Sequence, residues 1–207
     1  MKKYILNNLL SYFFSFFLIF STLASAESVL DVTEKDFIIG DENAPITIIE
    51  YASLSCSHCA DFHINTLPEL IKEFVDTGKA KIVFRDFPFN YPALLGSMVL
   101  RCVPEDIRYE YSNALYHLQS KWVLRENAKT TQELYKIMQS GGMTKERFNE
   151  CIDNVDLENE ILQGVMASRS ELNIKSTPSF LVNDILIEGN KSIKDFRQII
   201  DKILSEQ

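Results

Sequence analysis

The chain has 207 residues, 46% of them hydrophobic and 24% charged, a balance that excludes a wholly disordered polymer and allows one domain, with room for an insertion. A formal charge of −8 without any basic run argues against nucleic acid as a partner. Seven Gly and six Pro exclude collagen-like and low-complexity architectures.

The first 26 residues read as a targeting segment. Lys2 and Lys3 precede an apolar, Phe-rich run from Leu9 to Ala24, and Ala24-Ser25-Ala26 gives a small-x-small cleavage pattern before Glu27. The run is about 16 residues, short of the roughly 20 that span a bilayer, so a cleaved secretory signal peptide is expected rather than an anchor. Cleavage leaves 19 Lys and Arg against 29 Asp and Glu, a charge of −10. No later segment is long and apolar enough to span a membrane, and the mature chain is expected to be soluble.

Residues 27–45 read as a polar lead-in closed by a turn at Asp41 to Pro45. Ile46 to Tyr51 is short, β-branched and bounded by Pro, as in a buried strand. A helix is predicted from the Cys-rich cluster to about Val75, kinked at Pro68 and ended by Gly78. Lys81 to Phe87 is a second strand, stopped by Pro88 and Pro92. The following 80 or so residues read as wholly helical. Pro104 suits a first helical position, Thr130 with Glu133 a capping box, Thr144 and Asp156 two further caps, and Gly141 a helix end. Trp122, the tyrosines 109, 111 and 116, and Met138, Met143 and Met166 read as packing residues, and His117 as a surface or half-buried one. Strand character returns at Ser179 to Val182, turns at Asn183-Asp184 into Ile185 to Glu188, and gives way after Gly189 to an amphipathic helix over Lys191 to Leu204. The middle block is too long for a one-helix crossover. The expected architecture is therefore α/β: a small fold formed by residues 27–92 and 173–207, with an all-helical subdomain inserted over 93–172.

All four Cys (Cys56, Cys59, Cys102 and Cys151) lie after the signal segment. Export places them in an oxidising compartment, where thiols pair or do redox work. Four Cys allow three connectivities. Cys56-Ser57-His58-Cys59 carries the sharpest chemistry, because it sits where a strand hands over to a helix. The first sulfur lies close to unpaired backbone N–H groups and to the positive end of the helix dipole, which favour thiolate over thiol. A protonated His58 would add to this. A stabilised thiolate makes the reduced form comfortable and the disulfide a strong oxidant. As a metal set, Cys56, His58, Cys59 and His63 have poor spacing, and no metal is expected.

The stretch Glu50-Tyr51-Ala52-Ser53-Leu54-Ser55-Cys56-Ser57-His58-Cys59-Ala60-Asp61-Phe62-His63 resembles the active-site region of DsbA-type thiol:disulfide oxidoreductases of the thioredoxin superfamily. Lys81 to Phe87 with Pro88, and Ser176-Thr177-Pro178-Ser179-Phe180-Leu181-Val182, continue the likeness, which is strongest over 43–92 and 173–204. The resemblance implies a thioredoxin fold with a helical insertion, a periplasmic location, and oxidation of cysteine pairs in newly exported proteins. It implies re-oxidation by a membrane quinone-linked thiol oxidase and no cofactor. Carried over by position, Cys56 is the nucleophile, Cys59 the buried resolving thiol and His58 a thiolate stabiliser. Thr177 and Pro178 form a cis-proline element that would pair with an extended substrate. Ser57 stands where the family often has Pro, and this dipeptide tunes the thiolate.

Glu50 and Arg85 either form a buried ion pair under Cys59 that shuttles protons, since a charge in an apolar strand needs a partner, or are two ordinary strand-end charges. Cys102 and Cys151 are expected to form a structural disulfide in the oxidising compartment, the alternative being two buried free thiols. The short lead-in favours a monomeric oxidase over an isomerase or reductase. A metal-handling module and a non-catalytic chaperone-like binder are the other classes to be separated from it.

Overall fold

The computed structural model describes residues 30–206; the expected signal segment and cleavage site lie outside them. A five-stranded mixed sheet has the order β1-β3-β2-β4-β5. Its strands are β1 (Phe37–Ile39), β2 (Ile46–Ala52), β3 (Ala80–Asp86), β4 (Ser179–Val182) and β5 (Ile185–Glu188). β2 and β3 run parallel, and the other neighbours pair antiparallel. β1 is an addition to the expected lead-in. Its three residues pair with Ile82 to Phe84, and Phe37 stacks on Phe84 with ring centroids 5.3 Å apart.

Parallel pairing requires a crossover, and residues 57–75 supply it. This stretch alternates α1 (Ser57–Asp61), a π-helical segment (Phe62–Thr66), α2 (Leu67–Leu70) and a second π-helical segment (Ile71–Val75). Pro68 lacks the N–H that an α-helix needs at this point. The preceding turn widens, and Leu67 N–H bonds to the Phe62 carbonyl five residues back. The expected kink is thus absorbed as a π turn.

Both faces of the sheet are covered, which is why β2 is almost continuously apolar. Ile46, Ile48, Ile82, Phe180 and Val182 face the crossover helix and α9 (Ile193–Ser205), where Phe62 and Phe196 fill the layer. Ile49, Tyr51, Val83 and Leu181 face the opposite way, towards Val165 of α8 (Val155–Leu172).

Between β3 and β4 the chain is helical: α3 (Tyr91–Arg101), α4 (Glu105–His117), α5 (Gln119–Trp122), α6 (Asn127–Ser140), α7 (Lys145–Ile152) and α8. These helices enclose their own core around Trp122, Leu115, Leu134, Met138 and Phe148. Thr144 caps α7 through Arg147 N–H. Three expected local details change. Asn154 rather than Asp156 caps α8. Thr130 is not a cap but lies inside α6, its hydroxyl bonded to the backbone of Leu124. Met166 is exposed rather than packed.

Cys102, at the end of α3, and Cys151, in α7, are joined by a disulfide with their Cα atoms 6.2 Å apart. The bridge closes a loop with a sequence separation of 49. Replacing both residues by Ala is expected to lower unfolding stability by about 4 kcal/mol, the chain-entropy figure for such a loop, measured as a loss of denaturant midpoint.

Candidate active site

β2 ends at Ala52, and the chain turns through Ser53-Leu54-Ser55 into the helix. Cys56 is the N-cap of α1, with extended φ/ψ of −83° and 122°. This geometry leaves the amides that follow free to point at its side chain. The loop is held from several sides. Cys56 N–H donates to Ser53 O at 3.0 Å, and Ser55 Oγ donates to Asn90 Oδ1 at 3.0 Å. Gln119 Nε2, from the start of α5, donates to the carbonyls of Leu54 and Cys56 at 2.9 and 3.0 Å. Sequence reading gave no hint of Gln119 or Asn90: each lies tens of residues from the motif, and the contact exists only once the helical subdomain has docked.

The two sulfurs have opposite environments. Cys56 is half-buried; Cys59 is fully buried beside Leu54 and Tyr116. The Cys56 thiol is pulled down to about 5, chiefly by a hydrogen bond from Cys59, against the opposing effect of burial. The backbone N–H groups of Cys59 and His58 add to the lowering. Cys56 Sγ also lies 3.3 Å from the Thr177 carbonyl oxygen. The Cys59 thiol is pushed far up, first by burial, then by its bond to Cys56 and by the negative charge of Glu50. One sulfur therefore carries the charge and its neighbour keeps the proton.

His58 is exposed, and its backbone amide is what reaches Cys56. The Thr177-Pro178 bond is cis and both residues are buried, with the Thr177 carbonyl turned to Cys56. Among the described residues no three His, Cys, Asp or Glu are arranged to hold a metal ion; His58 is exposed while His63 is buried.

The candidate Glu50–Arg85 pair does not form. In the parallel register Glu50 lies opposite Phe84 and Tyr51 opposite Arg85, so the pleat sends the two charges to opposite faces of the sheet. Arg85 instead donates to Asp36 at 2.8 and 2.9 Å and to the Tyr51 hydroxyl at 3.2 Å. Glu50, at 0% exposure, has His63 as its partner: Nε2 lies 3.0 and 3.2 Å from the two carboxylate oxygens.

A strand-to-helix junction carrying a Cys-x-x-Cys pair, opposite a cis-proline, on a sheet with a parallel β-α-β crossover, is the arrangement of thioredoxin-like proteins. Residues 32–202 match the family model described as Thioredoxin, and the chain belongs to that family. Several of the solved structures it resembles are DsbA proteins. The structure of alpha-DsbA1 from Wolbachia pipientis superposes with a TM-score of 0.78 and 29% identity, covering 84% of this chain and 94% of that one. A Rickettsia felis protein, provisionally named a protein-disulfide oxidoreductase, is 29% identical over 177 residues, 85% of this chain. The chain spans only 63% of that relative's length. Disulfide bond formation protein D of Bacillus subtilis is 24% identical over 81% of this chain and 76% of its own length. The fold is thus a thioredoxin fold with an inserted helical subdomain.

Two titrations follow from the sulfur asymmetry. In the reduced protein, alkylation of Cys56 is expected to rise with a midpoint near pH 5 rather than at the ordinary thiol value of 9.0, read by mass spectrometry after timed quenching. Because the folded value is depressed, the stability supplied by this thiolate is complete above about pH 9 and is lost as pH falls to about 5. Denaturant midpoints of the reduced protein, relative to the oxidised one, are expected to fall across that window.

Proposed function

We propose that the protein introduces disulfide bonds into exported proteins by disulfide exchange through Cys56-Ser57-His58-Cys59. A substrate thiolate attacks Cys56 of the oxidised pair, and the Cys56–Cys59 bond breaks. Cys59 leaves as a thiolate and takes up a proton. The substrate's second thiolate then attacks the substrate sulfur of the mixed disulfide and departs oxidised, while Cys56 leaves as a thiolate. The observation that carries this reading is the low thiol value of Cys56 beside a buried, proton-holding Cys59. It makes Cys56 a good leaving group and the oxidised pair a ready donor of its bridge.

In this reading the backbone around Thr177 and Pro178 takes an extended substrate segment beside Cys56, giving affinity with little sequence choice. His58 acts at the helix start, with its amide as the contributing group. Glu50 exchanges the proton of Cys59, and Arg85 has no part in that step. The protein works as a monomer in the periplasm after removal of residues 1–26, with 27–92 and 173–207 as the catalytic domain and 93–172 as its insertion. It uses no cofactor and is re-oxidised by a membrane quinone-linked thiol oxidase.

Titration against glutathione, combined with turnover of a reduced model substrate, tests the reading. The expected result is an oxidising equilibrium and substrate oxidation that Cys56→Ala abolishes. In Cys59→Ala, Cys56 is expected to attack oxidised glutathione, release one glutathione thiolate and keep the mixed disulfide for lack of a resolving thiol, visible as a mass addition. A strongly reducing equilibrium would reject the oxidase in favour of a reductase, and activity surviving Cys56→Ala would favour a chaperone-like binder.

A further inference from the structure

Every exchange at Cys56 requires one proton to reach or leave Cys59, and Cys59 has no exposure. Glu50 is equally buried, yet its charge acts on Cys59. A buried carboxylate can accept or donate a proton only if something connects it to water. Its partner His63, one helical turn beyond Cys59, is 2% exposed. With an ionised Glu50 as acceptor, His63 Nε2 carries the hydrogen, and Nδ1 is left as an acceptor. Among the described residues Nδ1 has no hydrogen-bond partner. Such an atom is costly inside a protein unless water reaches it.

A cavity of about 60 Å³ lies against His63. His63, Tyr116, Ser112 and Phe84 line it, and its charged lining includes Asp36 and Arg108. At about 30 Å³ each, at least two waters fit. The other charges there are engaged: Arg85 with Asp36, Arg101 with Asp86, Lys35 with Glu160, and Arg108 with backbone carbonyls of Val103 and Arg101. Beside Glu50 and Cys59, the titratable group against the His63 ring is Tyr116, with ring centroids 4.0 Å apart. Burial holds the Tyr116 hydroxyl well above the ordinary phenol range, so it stays protonated.

We propose that His63 is a positioning and proton-relay residue, which holds the Glu50 carboxylate beneath Cys59 and links it through Nδ1 to water in this cavity. This deepens, and rests on, the exchange reaction proposed above. When Cys59 leaves as a thiolate, the ionised Glu50 takes the Nε2 proton of His63 and passes it to Cys59, while Nδ1 takes one from a cavity water, whose hydroxide is neutralised by solvent. Re-oxidation runs the same path backwards.

The test is the reduction of the oxidised full-length protein by dithiothreitol, followed by quenched-flow alkylation and expressed per dithiothreitol thiolate. One dithiothreitol sulfur attacks Cys56 and releases Cys59. The second closes the dithiothreitol ring and releases Cys56. His63→Ala is expected to slow reduction about tenfold at neutral pH, with a rate per thiolate that falls as pH rises, and added imidazole is expected to restore most of the loss. Ser112→Val, which narrows the cavity and leaves the Glu50–His63 pair in place, is expected to slow reduction without imidazole rescue. A parent-like rate in His63→Ala, or a slow reduction of His63→Ala that imidazole does not relieve, overturns the relay. If His63→Ala does not fold, a parent-like rate in Ser112→Val overturns it. Failure of the parent itself to react at Cys56 overturns the exchange reaction first, and the relay with it; a reactive parent with indifferent variants overturns the relay alone.

Discussion

The site depends on a single hydrogen bond between two sulfurs three residues apart. Cys59 donates to Cys56, and that bond is the largest influence lowering the Cys56 thiol. It works because the environments differ so sharply. Cys56 sits at a helix start with amides turned to it, whereas Cys59 is enclosed by Leu54, Tyr116 and the helical core. If Cys59 were as accessible as Cys56, it would compete for the charge rather than return it. Burial of one sulfur is therefore what gives the other its character.

That burial is produced jointly by the sheet and the insertion. The crossover helix places Cys59 against the end of β2, and Tyr116 from α4 completes the cover. The same enclosure surrounds Glu50 with low-dielectric material. Its pairing with His63 satisfies the requirement that a buried charge have a partner. The site thus has a polar interior behind a sulfur pair, formed by residues of β2, the crossover and α4.

Much of this was readable from the chain, and the limits have physical causes. The Cys-x-x-Cys junction, β2, β3 and the closing hairpin with α9 rest on local spacing and β-branched runs, which are properties of adjacent residues. β1 is a Phe-Ile-Ile run with strand character, but at three residues it is too short to stand out by pattern, and it exists through its pairing with β3 and the Phe37–Phe84 stack. The need for a partner at Glu50 was legible, since an acid in an apolar strand demands one. Its identity was not, because it depends on strand register: a shift of one residue would have put Arg85 on the same face. Thr130 shows the same limit at short range. Its sequence context suits a cap, but the helix begins earlier and its hydroxyl serves the backbone of Leu124.

Gln119 and Asn90 lie outside the sheet, one at the start of α5 and the other capping α3, and both hold the segment that presents Cys56. The insertion is therefore no detachable ornament. A shortened chain lacking it would expose Trp122's former neighbours and, more tellingly, would leave the carbonyls of Leu54 and Cys56 seeking other donors. Any lineage that trimmed these helices would have to invent a new brace for its reactive loop, which ties the evolution of the two halves to one another.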